Sequence, residues 1–299
     1  SRKVNNKLIY LIYRSIYFII YFYCVLKINQ YSNFMEKLMK TILKSIIFFV
    51  TWLFLSVLIP IPDSLDDAKW RFIAELISFA AIIIITYIFY RVDKDNIVVF
   101  PYNKSIKDLV LAILAGFIWF FLPFCLLKVF GYLEISSKNS IDMLPLWIFS
   151  AFINTIMQEL LARGYIYQLI KREYNLWAAS IVTTLIFTFM HGGAFEAGPI
   201  AVINVITMSL LMTIILEYSN SLVIPVIMHF IWNTFGGIIF GTVSLADDYP
   251  HLYNIKITGN QLISGGGFKM EGSIFVFIIN IIMIFIVYYL YRRKKSICK

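Results

Sequence analysis

The stretch from Ile156 to Tyr167, I-M-Q-E-L-L-A-R-G-Y-I-Y, decides how the rest of this sequence is interpreted. It places Gln158, Glu159 and Arg163 inside a largely apolar run at 143–170. A charged side chain at the centre of a bilayer costs at least ~2.5–3.5 kcal/mol on insertion scales, so such residues are rare there and usually functional. Glu159 and Arg163 stand four residues apart and therefore share one face of a helix. The stretch predicts a polar site within a membrane helix.

The composition agrees with a membrane protein. Of 299 residues, 60% are hydrophobic and 14% are charged, whereas soluble domains are about 45–50% apolar and about 25% charged. The formal net charge is +9, but most Lys and Arg residues flank apolar runs, which is typical of charges that set membrane topology. We therefore expect the lipid bilayer as a partner and no nucleic acid. Cys24, Cys125 and Cys298 are scattered, so neither a disulfide framework nor a thiolate metal site is predicted.

The apolar runs define the fold class. A membrane-spanning helix needs about 20 apolar residues, and such runs lie at about 8–26, 42–61, 72–90, 109–130, 144–170, 176–191, 199–217, 222–240 and 273–291. We predict an all-α transmembrane bundle of about eight core spans. It forms a single membrane domain at 42–291, between an N-terminal extension at 1–41 and a basic tail at 292–299.

The charges at the ends of these runs predict the orientation. The tail contains Arg292-Arg293-Lys294-Lys295, which the positive-inside rule places in the cytoplasm. Alternation along the chain then puts Lys171-Arg172 and the basic loop at 91–108 on the same side, and the acidic loop at 63–67 outside. The Ile-, Lys- and Asn-rich composition is typical of an AT-rich genome. We expect an integral protein of a bacterial plasma membrane with a cytoplasmic C-terminus.

The first run, 8–26, does not fit this alternation. It carries Arg14 in its middle and would leave Arg2, Lys3 and Lys7 outside. Three interpretations stay open: an interfacial aromatic and basic helix, an additional span, or a segment that precedes a native start at Met35.

Two histidines extend the polar site to other helices. His191 ends the run L-I-F-T-F-M-H, four residues after Phe187, and His229 precedes Asn233 by four residues in I-P-V-I-M-H-F-I-W-N. One buried histidine is usually a satisfied core residue. Two of them, in helices that accompany a Glu/Arg helix, indicate a shared pocket. At 1.5 Å per residue, Glu159, His191 and Asn233 lie roughly 16, 22 and 16 Å from the cytoplasmic ends of their helices.

Such a pocket fits hydrolysis by water. A carboxylate and an imidazole can remove a proton from water, while a second imidazole and a carboxamide can donate hydrogen bonds to the oxyanion that forms. Zinc bound by Glu159, His191 and His229, with water as the fourth ligand, is the alternative. The H-E-x-x-H motif is absent, so the sequence requires no metal or other cofactor and leaves zinc open.

Three motifs resemble those of the CPBP (Abi) intramembrane proteases: Q-E-L-L-A-R-G, F-T-F-M-H and N-S-L-V-I-P-V-I-M-H-F-I-W-N, within about 142–240. That family includes CAAX prenyl endopeptidases and bacterial members connected with bacteriocin immunity and surface-protein processing. The resemblance implies a helical bundle of about eight spans. It also implies that Arg163 is the motif arginine, that His191 joins an acidic residue in activating water, and that His229 and Asn233 form the oxyanion hole.

Gln158 departs from the family pattern. The motif usually opens with two glutamates, of which the first activates water, but this chain has Gln158 followed by Glu159. A glutamine side chain can hold water but cannot accept its proton. Four explanations stay open: Glu159 acts as the base, His191 carries the proton alone at a reduced rate, the protein is a non-proteolytic relative, or the glutamine was introduced to silence the enzyme.

The predicted function is that of an intramembrane endopeptidase acting on a membrane-associated peptide or protein, with Gln158, Glu159, Arg163, His191, His229 and Asn233 as site residues. The main alternative is a non-proteolytic protein that binds membrane partners, for example in bacteriocin immunity. A transporter is a third interpretation, since buried ionisable residues also mark ion pathways. Transporters are commonly built from internal repeats, and the sequence has none that we detect.

Overall fold

The structure is a computed structural model that describes residues 34–93, 97–103, 105–243 and 249–297. Most of them are helical, in the order α1 (Phe34–Leu58), α2 (Asp67–Val92), α3 (Ile106–Val129), α4 (Leu144–Arg163), α5 (Tyr165–Glu173), α6 (Leu176–Met190), α7 (Gly193–Ala197), α8 (Pro199–Ser219), α9 (Val223–Asn233), α10 (Gln261–Ser264) and α11 (Ile274–Ile297). A π-helical segment, Thr234–Ile239, continues α9, and two 3-10 turns, Gly266–Phe268 and Met270–Gly272, precede α11.

The predicted helical membrane bundle is confirmed. Six helical segments in the described chain are long and apolar enough to cross a membrane: α1, α2, α3, α4 with α5, α8 and α11. Two further apolar helices, α6 and α9 with its π-helical extension, are shorter. These eight segments correspond to the eight runs predicted from residue 42 onward, although length alone identifies only six of them as spans.

The N-terminal predictions are only partly covered by the structure. The run at 8–26 lies outside the described residues. Helix α1 begins at Phe34, so the predicted boundary between an extension at 1–41 and the membrane domain falls inside one helix.

A small sheet interrupts the helical pattern. Strand β1 (Leu133–Lys138) pairs with β2 (Tyr253–Ile257) in antiparallel register, with Leu133 opposite Ile257. The sequence pattern does not predict these strands, which lie between apolar runs. They are short, and about 120 residues separate the paired positions, so no local hairpin signal exists.

Close helix packing and buried polar contacts hold the bundle together. Gly116 lets α3 approach α9, because a Cβ atom at this position would lie 3.2 Å from the Met228 Cα. Small residues are typical of such contacts in membranes, where backbones must come close for van der Waals packing. Trp119 on α3 donates a hydrogen bond to Asn280 on α11 at 2.7 Å. Asn280 in turn donates to Thr207 on α8 at 2.9 Å, so three helices share one polar network.

Most Lys and Arg residues of the described chain lie at one end of the bundle, whereas six lie toward the other: Lys69, Arg71, Lys128, Lys138, Lys256 and Lys269. Lys37 at the start of α1 pairs with Glu173 at the end of α5 at 3.3 Å, and Lys171 pairs with Glu217 near the end of α8. Lys294 near the end of α11 donates to the Tyr218 carbonyl at 3.0 Å. The opposite end carries the connections at 59–66, 139–143, 192–198 and the chain before α11. This arrangement agrees with the alternation that the charges predict.

The packing at Gly116 generates a stability prediction. Gly116→Leu should lower the thermal unfolding midpoint of the detergent-solubilised protein by several degrees, because overpacking a tight contact typically costs about 1–3 kcal/mol. The matched control is Ile118→Leu, two residues away, where the side chain is 59% exposed. Equal midpoints for the two variants would contradict the close approach of α3 and α9.

Candidate active site

A buried carboxylate joins three helices at the centre of the site. Glu159 and Arg163 are both 0% exposed, and the Arg163 Nη1 donates to Glu159 Oε2 at 2.8 Å. The other carboxylate oxygen, Oε1, lies 2.8 Å from the His229 Nδ1 on α9. Arg163 Nη2 donates to the Ser209 carbonyl on α8 at 2.8 Å. Both oxygens of Glu159 are therefore engaged, and α4, α8 and α9 are tied to one another.

The glycine of the first motif ends helix α4 directly after Arg163. A Cβ atom on Gly164 would lie 2.3 Å from the Leu160 carbonyl oxygen, a separation that no side chain tolerates. The break lets α5 begin as a new helix at Tyr165 and leaves Arg163 as the last residue of α4. The motif thus places a charged pair and a helix end together.

The Phe187 ring packs among the charged and imidazole groups. Its centroid lies 5.1 Å from the Arg163 guanidinium carbon, 4.3 Å from the His191 ring centre and 5.8 Å from the His229 ring centre. An arginine over an aromatic face gains cation–π attraction, which is stronger where water is excluded. Phe187 therefore supports the side chains on both sides of it.

A backbone contact fixes the tautomer of His191. Its Nδ1 lies 2.8 Å from the Phe187 carbonyl oxygen. A carbonyl oxygen only accepts hydrogen bonds, so Nδ1 carries the proton and donates. In the neutral ring, Nε2 then holds a lone pair that can accept a hydrogen bond or a proton.

A cavity of about 180 Å³ lies beside these groups. Four of the six predicted site residues line it: Gln158, His191, His229 and Asn233. Glu159 and Arg163 do not line it; they lie behind His229 and Phe187. At roughly 30 Å³ per liquid water molecule, the cavity has room for about six waters or for a short stretch of peptide.

Asn233 stands where the backbone of α9 changes. Its Nδ2 donates to the Thr155 hydroxyl on α4 at 3.3 Å, which turns the carboxamide along the cavity wall. The next residues form the π-helical segment, in which the Phe240 amide donates to the Phe235 carbonyl at 2.9 Å. π-helical turns within α-helices occur frequently at functional sites.

A hydrogen-bonded chain of side chains explains how Gln158 is held. Its Nε2 donates to Asn154 Oδ1 at 2.7 Å, and Asn154 Nδ2 donates to Glu75 Oε2 on α2 at 2.8 Å. The Glu75 carboxylate also pairs with Arg71 at 2.8 Å. An ionised carboxylate only accepts, so Asn154 must turn its nitrogen toward Glu75 and its oxygen toward residue 158. The surroundings of position 158 are therefore complementary to a glutamine and opposed to an ionised glutamate.

Sequence reasoning missed several residues of this region: Arg71, Glu75, Asn154, Tyr249 and Glu271. Two of them had a local signal, since Arg71 and Glu75 repeat the four-residue spacing of Glu159 and Arg163 at the edge of an apolar run. Asn154 is one polar residue in such a run. Tyr249 and Glu271 lie in the long polar segment before α11, where no pattern distinguishes them from solvated residues.

The alternative zinc site does not fit the geometry. Glu159 directs both oxygens to Arg163 and His229 rather than into the cavity. Among the described residues, no cluster of three or more His, Cys, Asp or Glu side chains is arranged to hold a metal ion. The three residues of the alternative zinc site therefore do not point their donor atoms at one common position.

The comparison with known protein families gives one match. Residues 140–235 match the family described as Rce1-like, type II CAAX prenyl endopeptidase. The chain carries an Rce1-like segment. This confirms the predicted family resemblance, and the family is one of proteases. The segment contains all six predicted site residues, whereas Arg71, Glu75 and Glu271 lie outside it. No curated protein and no solved structure matches the chain.

The direction of the hydrogen bonds that connect Gln158, Asn154 and Glu75 predicts the effect of placing a charge at position 158. Gln158→Glu should lower the free energy of unfolding by about 1–3 kcal/mol, because the new carboxylate faces the Asn154 oxygen without a donor. In the double variant Glu75→Gln/Gln158→Glu, the Asn154 amide can reverse and satisfy both neighbours. A double-mutant cycle should therefore give a favourable coupling of about 0.5–3 kcal/mol.

The control for this cycle is Gln261→Glu, the same substitution at an exposed residue of α10, which should change the unfolding free energy little. Strictly additive effects of the Glu75 and Gln158 substitutions would show that the two positions are not linked through Asn154.

Proposed function

We propose that this integral membrane protein is an intramembrane endopeptidase that hydrolyses a peptide bond with water activated in the cavity of the Rce1-like segment. The observation that carries the proposal is the set of cavity-lining groups. Two imidazoles and two carboxamides, from His191, His229, Gln158 and Asn233, face one small cavity. Two of these residues are held by further contacts to Glu159 and Phe187, so the groups are positioned before a substrate enters.

Gln158 and His191 are suited to hold and activate the water. In the described part of the chain, the Gln158 Oε1 atom is buried and accepts no hydrogen bond, so it can accept one from water. The His191 Nε2 lone pair can accept another and then the proton itself. In this mechanism Gln158 orients the nucleophile and His191 takes its proton.

His229 and Asn233 are suited to stabilise the oxyanion. The His229 Nδ1–H donates to Glu159, so Nε2 carries a proton only when the ring is an imidazolium. In that form, Glu159 is the counter-ion of the ring. An Nε2–H of His229 and an amide N–H of Asn233 then face the developing negative charge.

This assignment gives Glu159 and Arg163 positioning roles. Of the explanations for Gln158, the one with Glu159 as the base fits least, because both of its oxygens point away from the cavity. In the reaction, the water oxygen bonds to the peptide carbonyl carbon as its proton passes to His191. The C–N bond then breaks, and the same proton goes to the leaving nitrogen. The products are a carboxylic acid and an amine.

The position of the cavity bears on the substrate class. Its lining residues include Arg71, Gly192 and Glu271, which lie toward the end of the bundle opposite the basic cluster formed by Lys37, Lys171 and Lys294. By the positive-inside rule, this end of the bundle, and the cavity near it, faces the outer side of the membrane. We infer that the substrate is an exported or membrane-anchored peptide reached from that side, rather than a prenylated protein in the cytoplasm.

A non-proteolytic binding protein is the second candidate. The observation that favours it is the hydrogen-bonded chain from Glu75, which suits an amide at position 158. That candidate predicts no product from any peptide, and it predicts that folded His191→Ala and His229→Ala variants keep the cellular phenotype.

The activity itself can be tested with purified protein in liposomes. The probes are quenched fluorescent peptides with a transmembrane anchor, and a matched set with a farnesylated cysteine near the C-terminus. His191→Ala should reduce turnover by about 10²–10⁴-fold, the usual contribution of acid–base catalysis, and His229→Ala by about 10²–10³-fold, the usual cost of losing one oxyanion donor. His251→Ala is the control, since His251 does not line the cavity and should leave turnover unchanged. Turnover that survives both cavity substitutions would exclude the proposed reaction.

The side of the membrane can be tested by cysteine labelling. In a chain whose native cysteines are replaced by serine, Glu134→Cys lies at the cavity end and Lys295→Cys at the basic end. A membrane-impermeant maleimide should label Glu134→Cys in intact bacterial cells, and should label Lys295→Cys only after permeabilisation. The reverse pattern would refute an outward-facing cavity and leave the proposed reaction standing.

A further inference from the structure

Glu271 lines the same cavity as the two histidines, although it lies outside the Rce1-like segment. Among the described residues that line the cavity, Glu271 is the only carboxylic acid. The residue as a whole is 7% exposed. It therefore brings a buried acid to a site whose motif lacks one at position 158.

The fold holds Glu271 in place through a buried side chain. Asn204 on α8, which is 4% exposed, donates from Nδ2 to the Glu271 carbonyl at 2.6 Å and to the Ser273 carbonyl at 3.0 Å. The Met270 amide donates to the Thr242 carbonyl at 3.0 Å. The 3-10 turn that carries Glu271 is thus anchored to a membrane helix and to the chain after α9, which is the kind of support that a functional side chain needs.

The charges around His191 explain why an acid is needed. One charged cation, Arg71, lines the cavity with it, and Arg163 lies close behind the Phe187 ring. Glu75 pairs with Arg71 and Glu159 pairs with Arg163, so each of these two carboxylates already has a cationic partner. A proton that stayed on His191 would add a further buried positive charge, which costs free energy unless an opposite charge compensates it.

We propose that Glu271 is the carboxylate that takes the proton of the water, by way of His191, and so replaces the acid that Gln158 cannot supply. This inference rests on the proposed function. The O–H bond of water breaks and its proton passes through the imidazole to the Glu271 carboxylate, while the oxygen bonds to the carbonyl carbon and an electron pair moves onto the carbonyl oxygen. When the C–N bond breaks, the neutral acid returns the proton through His191 to the leaving nitrogen. A cavity with room for about six waters lets one or two water molecules bridge the acid and the imidazole.

The test compares Glu271→Gln with wild-type protein in the liposome assay with the transmembrane-anchored peptides. Glu271→Gln should lower kcat by about 10²-fold or more with KM changed less than about two-fold, because the proton acceptor is lost and the substrate contacts remain. Glu134→Gln, the same change at an exposed residue on β1, should leave both constants unchanged.

A chemical rescue separates a proton acceptor from a merely structural residue. Glu271→Ala leaves space for a small carboxylate, so added sodium formate should restore part of the lost turnover in a saturable manner, and sodium chloride should not. The formate experiment with Glu271→Ala also tests the role of Glu271 if Glu271→Gln fails to fold. A folded Glu271→Gln with wild-type kcat, or an inactive Glu271→Ala that formate does not rescue, would overturn the inference.

The assay distinguishes this inference from the proposed function. If wild-type protein cleaves the probes and His191→Ala does not, but Glu271→Gln keeps the full rate, only the role of Glu271 is refuted. If wild-type protein and His191→Ala give equal signals, the proposed function is refuted and the role of Glu271 with it.

Discussion

The rest of the structure depends on one buried carboxylate, that of Glu159, held between Arg163 and His229. Removing one partner of such a pair leaves an uncompensated charge and typically costs about 3–5 kcal/mol. The same contacts connect α4 to α8 and α9 and hold the His229 ring at the cavity wall. The requirement to satisfy this charge inside a membrane bundle therefore fixes both the packing of the helices and the position of a histidine.

Neighbouring positions on α4 serve different purposes because of helix geometry. Residues 158 and 159 are separated by about 100° of rotation, so Glu159 faces the interior of the bundle while Gln158 faces the cavity. The Asn154 side chain donates to Glu75 and presents its oxygen to position 158, which therefore requires a hydrogen-bond donor. The glutamine is thus matched to its surroundings.

The cavity is completed by parts of the chain on both sides of the Rce1-like segment. Arg71 comes from α2, and Tyr249 and Glu271 come from the connection that leads to α11. The segment supplies the imidazoles and carboxamides that line the cavity. The chain outside the segment supplies its charged lining residues, Arg71 and Glu271.

The sequence by itself determined the helical membrane fold, the approximate limits of eight apolar segments and the family resemblance, because hydrophobic length and motif spacing are local properties. It also identified four residues that line the cavity. Only the tertiary structure decided that Glu159 points away from the cavity, that Asn154 presents an oxygen to Gln158, and that β1 pairs with β2. It alone placed Glu271 on the cavity that the two histidines line. These outcomes depend on contacts between residues far apart in the sequence. Asn204 and Glu271 are 67 positions apart, and Asn154 and Glu75 are 79 positions apart. No periodicity in the sequence encodes such contacts.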